Sequence, residues 1–188
     1  MSYIERRRFL WILFLAGLVL TAIVANATTL ARLGFDELAQ QATAVARMRC
    51  LGAESRWENG EIWTETRFEV LERSKGALPG IVTVRMLGGS AGHLHSRVDG
   101  VPVFRAGEEV YLFLWGHEGE PYRVLGWSQG TFRISRDEQS GIEKVTQDSA
   151  SAPVFDPRTR EFRRGGIRNL PVAIFQLKLR KALEQRTP

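Results

Sequence analysis

The sequence has a single cysteine among its 188 residues, Cys50, so the chain can form no internal disulfide. Its fold must therefore depend on core packing alone, even if the protein is exported to an oxidising compartment. We expect Cys50 to be a buried small hydrophobic residue. The glycines are followed by no Gly-Lys-Ser/Thr triplet, which argues against a phosphate-binding loop.

The one long hydrophobic run lies at the N-terminus. Three arginines at positions 6–8 precede the apolar segment 9–24, and an Ala-x-Ala site ends at Ala27. This order is typical of a secretory signal peptide, so residues 1–27 are predicted to be removed. The run has 16 residues, short of the roughly 20 that span a bilayer, and an uncleaved N-terminal anchor is the alternative. Both assignments predict an exported protein, periplasmic or extracellular.

The formal net charge of +5 is unevenly distributed. Residues 1–27 carry +2, residues 28–155 carry −3 and residues 156–188 carry +6. A mildly acidic middle argues against a nucleic-acid-binding face there. The basic residues 156–188 leave two interpretations open: a helix packed on the domain with a solvated basic face, which we favour, and contact with an anionic membrane.

The middle of the chain has the pattern of strands after one short helix. The helix is predicted from Phe35 to Ala42, and Asn59-Gly60 is a strong hairpin signal. Alternation from Ile62 to Val70 predicts a strand with one solvated face, and the continuous apolar run Val110–Trp115 predicts a central buried strand. About six strands without intervening helices predict a mainly β domain over residues 28–148, either a small closed antiparallel barrel or a sandwich. The helix before the first strand and the long hairpin favour a barrel of five or six strands.

The amino-acid composition changes after the predicted barrel. Residues 149–168 are polar and contain proline and glycine, which predicts a linker. Residues 169–188 are predicted to form a basic helix, with Asn169 as its N-cap and Pro171 in its first turn.

The segment from Gly88 to Gly92 satisfies the Gly-x-Ser-x-Gly pattern of the serine-hydrolase nucleophile elbow. An elbow requires a helix directly after its serine, but the residues that follow Ser90 have no helical period, and the chain lacks the alternating strands and helices of that fold. We expect the glycines to serve the backbone instead, through positive φ angles and close approach to neighbouring chain.

His93 and His95 are one residue apart, so on an extended strand they would point to one face, as two zinc ligands can. A third ligand could come from His117, but nothing in the sequence fixes its position. No metal site and no other cofactor is therefore predicted.

Two blocks carry a resemblance to known domains. The strand TRFEVLERSKG and the segment FRAGEEVYLFLW resemble the netrin-like, or tissue-inhibitor-of-metalloproteinase-like, OB-fold barrel. The matching residues are Lys75, Gly76, Phe104, Gly107, Tyr111 and Leu112. The blocks GVPVFRAGEEVYLFL and QGTFRI also resemble uncharacterised exported bacterial proteins. The resemblance implies the barrel and an extracytoplasmic location. It transfers no inhibitory residue, because those inhibitors chelate zinc through an N-terminal cysteine and the predicted mature chain begins with Thr28.

These observations favour an exported, non-enzymatic binding or accessory module that acts through loops at the barrel rim on a protein or cell-envelope partner. The resemblance implies one alternative, an inhibitor or partner of a secreted metalloprotease, and the Gly-x-Ser-x-Gly pattern leaves another, a serine hydrolase using Ser90. The candidate binding residues are Ser90, His93, His95, Arg97, Phe104 and Arg105.

Overall fold

The structure, a computed structural model, describes residues 31–151 and 153–185. The predicted signal peptide or anchor, residues 1–27, lies outside them. The α-helices in the described residues are α1 (Phe35–Gln41) and α2 (Val172–Glu184), and short 3₁₀-helices span Trp127–Gly130 and Asp148–Ser151. The strands there are β1 (Ala44–Glu58), β2 (Glu61–Lys75), β3 (Ile81–Leu87), β4 (Gly89–Ala91), β5 (Leu94–Ser96), β6 (Glu109–Trp115), β7 (Arg123–Val124), β8 (Thr131–Arg136), β9 (Glu143–Gln147), β10 (Val154–Asp156), β11 (Glu161–Arg163) and β12 (Leu170–Pro171).

One eight-stranded sheet dominates the fold, in the order β12-β9-β8-β6-β1-β2-β3, with β7 pairing on β6. Its ladders are antiparallel. Two short hairpins, β4–β5 and β10–β11, form separate two-stranded sheets. The mainly β, antiparallel character predicted from the sequence is therefore present.

The predicted closed barrel is wrong, because the sheet stays open. Among the described residues its end strands, β12 and β3, do not pair, and β3 meets Tyr122 only at an isolated bridge from Val84. The physical reason lies in β6, which buries five consecutive residues, Val110–Leu114. A small barrel buries one face of each strand, whereas a strand buried on both faces needs a separate layer on each side.

Two hydrophobic clusters provide those layers. On one face Met48, Phe68 and Leu112 belong to a cluster that the curled sheet and the loop before β6 enclose. On the other face Tyr111 and Phe113 pack against both helices. The residues that α1 and α2 bury there are Leu38, Ala39, Phe175, Leu179 and Ala182. The central strands are thus covered on one face by the curled part of the same sheet and on the other face by the two helices.

Several local predictions are confirmed. Helix α1 spans Phe35–Gln41, within one residue of the prediction. Asn59 and Gly60 turn between β1 and β2 with φ angles of 50° and 89°. Strand β2 buries Ile62, Thr66 and Phe68 on alternate positions. Cys50 is buried, and burial raises the pKa of its thiol.

The C-terminal region differs in detail from the prediction. Helix α2 begins at Val172, with Pro171 rather than Asn169 as its N-cap, because Leu170 and Pro171 pair with β9 as a strand. Within residues 149–168, assigned to a linker, the structure has the hairpin β10–β11. No helix in the described part of the chain is both long and apolar enough to cross a bilayer.

Candidate functional site

The glycine-rich segment forms the hairpin β4–β5, with Gly92 and His93 as its two-residue turn. Gly88, Gly89 and Gly92 have φ angles of 93°, 125° and 61°, which confirms the prediction that these glycines adopt positive φ. Ser90 is followed by the hairpin turn and β5 rather than by a helix, so the structural context of a nucleophile elbow is absent.

Close backbone approach is also confirmed, most clearly at Gly89. A Cβ at this position would lie 2.4 Å from Ser55 Oγ and 2.2 Å from Thr64 Oγ1. These two hydroxyls hydrogen-bond to each other at 2.8 Å, and Thr64 Oγ1 donates to the Gly88 carbonyl at 2.5 Å. The hairpin is thereby held against β1 and β2, beside the hydroxyl row formed by Ser55 and Thr64.

The loop between β5 and β6 forms a second wall. Phe104 is buried with its ring edge-on to Phe68, the centroids 5.0 Å apart. Glu108 Oε2 accepts a hydrogen bond from the Arg105 amide at 3.1 Å, and the Gly107 amide donates to Cys50 O at 2.8 Å. The loop is therefore tied to β1 at its end and to the core at its middle.

A groove of about 810 Å³ lies between this loop, the hairpin and the inner surface of β1 and β2. Its lining combines hydroxyl-bearing and apolar side chains. The hydroxyl-bearing, aromatic and charged residues of the lining are Ser55, Thr64, Thr66, Ser90, His95, Ser96, Arg97, Phe104, Arg133 and Asp148. Most of the hydroxyls come from the hairpin and from β1 and β2, whereas Arg133 and Asp148 belong to β8 and the turn after β9.

Arg133 is an anchored cation in this lining. It donates to Asp148 Oδ1 at 2.7 Å and Oδ2 at 2.9 Å, and to Glu108 Oε2 at 2.7 Å. Its guanidinium carbon lies 5.3 Å from the centre of the Phe104 ring. Burial alone would lower the pKa of Arg133, but these carboxylates outweigh burial and raise it. Burial raises the pKa of Asp148, and the hydrogen bond to Arg133 offsets only part of that rise.

Ser90 and His95 meet across the hairpin. They are directly opposite in the β4–β5 register, and Ser90 Oγ lies 2.8 Å from His95 Nδ1. Among the described residues no acidic side chain forms a hydrogen bond with His95, so the third member of a catalytic triad is not in place. Both side chains are exposed.

The structure brings four of the six candidate binding residues to the groove: Ser90, His95, Arg97 and Phe104. His93 lies in the hairpin turn and Arg105 in the loop before β6, and neither lines the groove. His117 is elsewhere, in the turn after β6, with Nε2 3.8 Å from Glu120. In residues 31–151 and 153–185 no three His, Cys, Asp or Glu side chains group as a metal site would require.

Sequence reasoning missed Arg133 and the hydroxyl row. Arg133 carried a signal, since it lies between the apolar residues Phe132 and Ile134 in β8, and a half-buried charge needs partners. Ser55 and Thr64 lie on opposite sides of the Asn59-Gly60 turn and are cross-strand partners. The hairpin prediction could therefore have paired them, but not shown that Gly89 lies on them.

Comparison of the chain with protein-family models, with curated proteins and with solved structures gave no match. The resemblance to netrin-like domains therefore stays a prediction, without the closed barrel that it implied.

Proposed function

We propose that this chain is an exported, non-enzymatic binding module that holds an extended segment of a partner protein in the groove beside β5. The observation that carries the proposal is the groove itself, lined by hydroxyls and apolar side chains and bordered by a free strand edge. Grooves of this volume, mostly apolar with a few placed polar groups, are the usual form of a ligand site.

The free edge suggests how the segment is held. Strand β5 pairs only with β4 in the described residues, so its outer edge is a template for another strand. In a hairpin with a two-residue turn, hydrogen-bonded and non-bonded pairs alternate from the turn outward, and the Ser90–His95 pair is a non-bonded one. The amide and carbonyl of His95 therefore face outward, where an added strand would meet them.

Charge indicates that the segment is neutral. Arg133 contacts two carboxylates, Asp148 and Glu108, and Arg97 is the other cation of the lining, so two positive and two negative groups sum to a formal charge of zero. A site whose charges cancel gives no steering to a strongly acidic or basic ligand. The hydroxyls and the apolar lining instead suit a segment of small polar and apolar residues, with main-chain hydrogen bonds providing much of the affinity.

A photo-crosslinking amino acid at position 97 tests this proposal in the cells that export the protein. We expect a crosslinked partner that is lost with Ser96→Trp, which fills the groove, and with His95→Pro, which removes the outward amide. Ser135→Trp, at an exposed position of β8, is the matched control and should leave the crosslink intact. A crosslink that persists in both groove variants would overturn the proposal.

The contact between Ser90 Oγ and His95 Nδ1 at 2.8 Å favours a second candidate, a serine hydrolase. A fluorophosphonate probe separates the two functions, because it labels an activated serine and ignores an ordinary hydroxyl. The binding module predicts no labelling of the folded chain. Labelling that disappears in both Ser90→Ala and His95→Gln would instead assign hydrolase chemistry to this pair.

A further inference from the structure

The hairpin β10–β11 lies beside the point where the described chain begins. The Arg32 amide donates to Phe155 O at 2.8 Å, Ala31 forms a parallel bridge with Phe155, and the Arg32 guanidinium is 3.4 Å from Asp156. Within the turn between β10 and β11, Arg158 forms an ion pair with Glu37 of α1 at 2.5 Å. The hairpin is therefore fixed to the N-terminal end of the domain.

A buried side chain fixes that end as well. Gln129, 2% exposed, accepts a hydrogen bond from the Leu33 amide at 2.8 Å and donates to Ala31 O at 2.9 Å. Its amide thus pairs with residues 31 and 33 as a neighbouring strand would. The position of Ala31 is consequently fixed next to the hairpin.

The hairpin surface is basic and aromatic. Between positions 157 and 164 it has four arginines and one acidic residue, Glu161. Within the described residues Arg160 and Arg164 form no salt bridge, whereas Arg163 pairs with Glu161. Phe162 lies between Arg160 and Arg164 in the sequence. It is 65% exposed, and its ring centroid is 5.4 Å from that of Phe155. Unpaired arginines around an exposed aromatic ring are typical of a surface that contacts anionic lipid headgroups.

The length of chain between the apolar run and Ala31 limits how far this surface can lie from a bilayer that holds the run. Residue 24 ends the apolar run that is predicted to act as signal peptide or anchor, and Ala31 follows seven residues later. An extended chain covers at most about 3.6 Å per residue, so seven residues reach roughly 25 Å. A domain held by an apolar segment in the membrane would therefore keep Ala31, and Phe155 beside it, within that distance of the lipid surface.

We propose that the hairpin β10–β11 is a contact site for anionic lipid. Where residues 1–27 stay attached as an anchor, the alternative to signal-peptide removal, this contact orients the domain on the membrane that holds them. The inference is independent of the groove and its ligand. It also assigns the contact to the hairpin rather than to helix α2, where the Lys178 ammonium lies over the Phe35 ring, 5.0 Å from its centre.

The test uses the full chain as recovered from expressing cells, with its N-terminus determined by mass spectrometry. Thr159→Cys in the hairpin turn carries an environment-sensitive dye, and Cys50, 1% exposed, does not compete for labelling in the folded protein. Vesicles of phosphatidylglycerol with a lipid-borne quencher are compared with vesicles of phosphatidylcholine. We expect quenching and a blue shift with the anionic vesicles only, weakening as salt is added.

Charge variants assign the contact to particular residues. Each basic residue contributes about fivefold near an anionic surface, so Arg160→Gln with Arg164→Gln should lower partitioning roughly 30-fold. The matched control, Arg180→Gln with Lys181→Gln on the exposed side of α2, should leave it unchanged. Three results would overturn the proposal: no quenching, an equal loss in the control pair, or binding to a soluble polyanion such as heparin without binding to vesicles.

Discussion

The Lys75 ammonium caps helix α1, donating a hydrogen bond to the Ala39 carbonyl at 2.8 Å and another to Gln40 O at the same distance. Helix C-termini leave carbonyls without partners, and a cation there also interacts favourably with the helix dipole. The next residue, Gly76, has a φ of 74°, and a Cβ on it would lie 2.4 Å from Thr43 O. The Lys-Gly pair thus joins the end of β2 to the turn between α1 and β1.

Lys75→Met should therefore destabilise the domain although it keeps the length of the side chain. Two carbonyls lose a charged donor in a partly buried setting, where hydrogen bonds to charged groups are worth about 1.5–3 kcal/mol. Urea denaturation measures the change in the free energy of unfolding. Lys144→Met is the control, because it removes an ion pair with Asp137 that is about a third exposed, and such pairs contribute about 0–1 kcal/mol. Equal losses in the two variants would contradict the capping role.

The glycine-rich hairpin makes a second prediction, that two of its glycines differ in tolerance. Gly89→Ala would bring a Cβ onto Ser55 and Thr64 at a φ of 125°, whereas Gly92→Ala meets nothing within 4 Å at a φ of 61°. Gly92→Ala should cost about 1–2 kcal/mol from the left-handed backbone alone. Gly89→Ala should cost more and should expose the Leu94 and Ser96 amides to hydrogen exchange. A smaller effect at Gly89 than at Gly92 would contradict this packing.

How far the sequence predicts this structure depends on whether the determining contacts are local. The Asn59-Gly60 turn, helix α1 and the alternation of β2 depend on neighbouring residues, and these predictions are confirmed. The barrel prediction failed although β6 carried the relevant signal. The unbroken apolar run of β6 implies that the strand is buried on both faces. A closed barrel covers only the inner face of each strand and leaves the outer face of β6 exposed.

The candidate site was predictable in part. The positive φ angles at Gly88 and Gly89 follow from residue type and position. The contact of Ser90 with His95 depends on a turn of two residues, since a turn one residue longer would change the register and separate the side chains. The pairing of Arg133 with Glu108 and Asp148 joins β8 to two segments distant in sequence, and no local pattern specifies such partners.

A row of charged side chains on the helix side of the sheet, Arg47, Arg49 and Glu109, predicts that the free energy of unfolding depends on pH. Burial alone would raise the pKa of Glu109, but hydrogen bonds from Arg49 and Arg47 outweigh burial and hold it below the ordinary value of 4.5. A carboxyl with a lowered folded-state pKa stabilises the protein above its unfolded pKa, and this contribution is lost as the pH falls through the folded value. Unfolding free energy should therefore decline below about pH 4.5.

Glu109→Gln isolates that contribution. At pH 7 it should cost about 1–3 kcal/mol, since it breaks charged hydrogen bonds to the partly buried Arg47 in addition to those to the exposed Arg49. The variant should also show a smaller decline below pH 4.5 than the parent chain. Glu138→Gln, at an exposed turn position, is the control and should change stability by less than about 0.5 kcal/mol. Parallel pH profiles for Glu109→Gln and the parent would contradict the prediction.

Gln129→Leu should detach the N-terminal end of the domain. The substitution leaves the Leu33 amide and the Ala31 carbonyl without their partner, and each lost hydrogen bond costs about 0.5–1.5 kcal/mol. Hydrogen exchange of the Leu33 and Arg32 amides should accelerate beyond what the loss in global stability explains. Gln41→Leu, exposed on α1, keeps both contacts and serves as the comparison. Unchanged protection of Leu33 in Gln129→Leu would show that the side-chain amide does not hold this segment.

Thr66 and Thr131 make a matched pair for the last prediction. Both are buried, at 1% and 0% exposed, but Thr131 Oγ1 donates to Trp127 O at 3.0 Å, whereas Thr66 Oγ1 has no partner among the described residues. Replacing a hydroxyl by a methyl group of similar volume removes the desolvation cost of an unpaired polar atom, and it breaks a hydrogen bond where one exists. Thr131→Val should lower the free energy of unfolding by about 1 kcal/mol, and Thr66→Val should leave it unchanged or raise it. If Thr66→Val instead loses as much as Thr131→Val, its hydroxyl has a partner in the folded protein, and the groove wall that it forms is fully satisfied without a ligand.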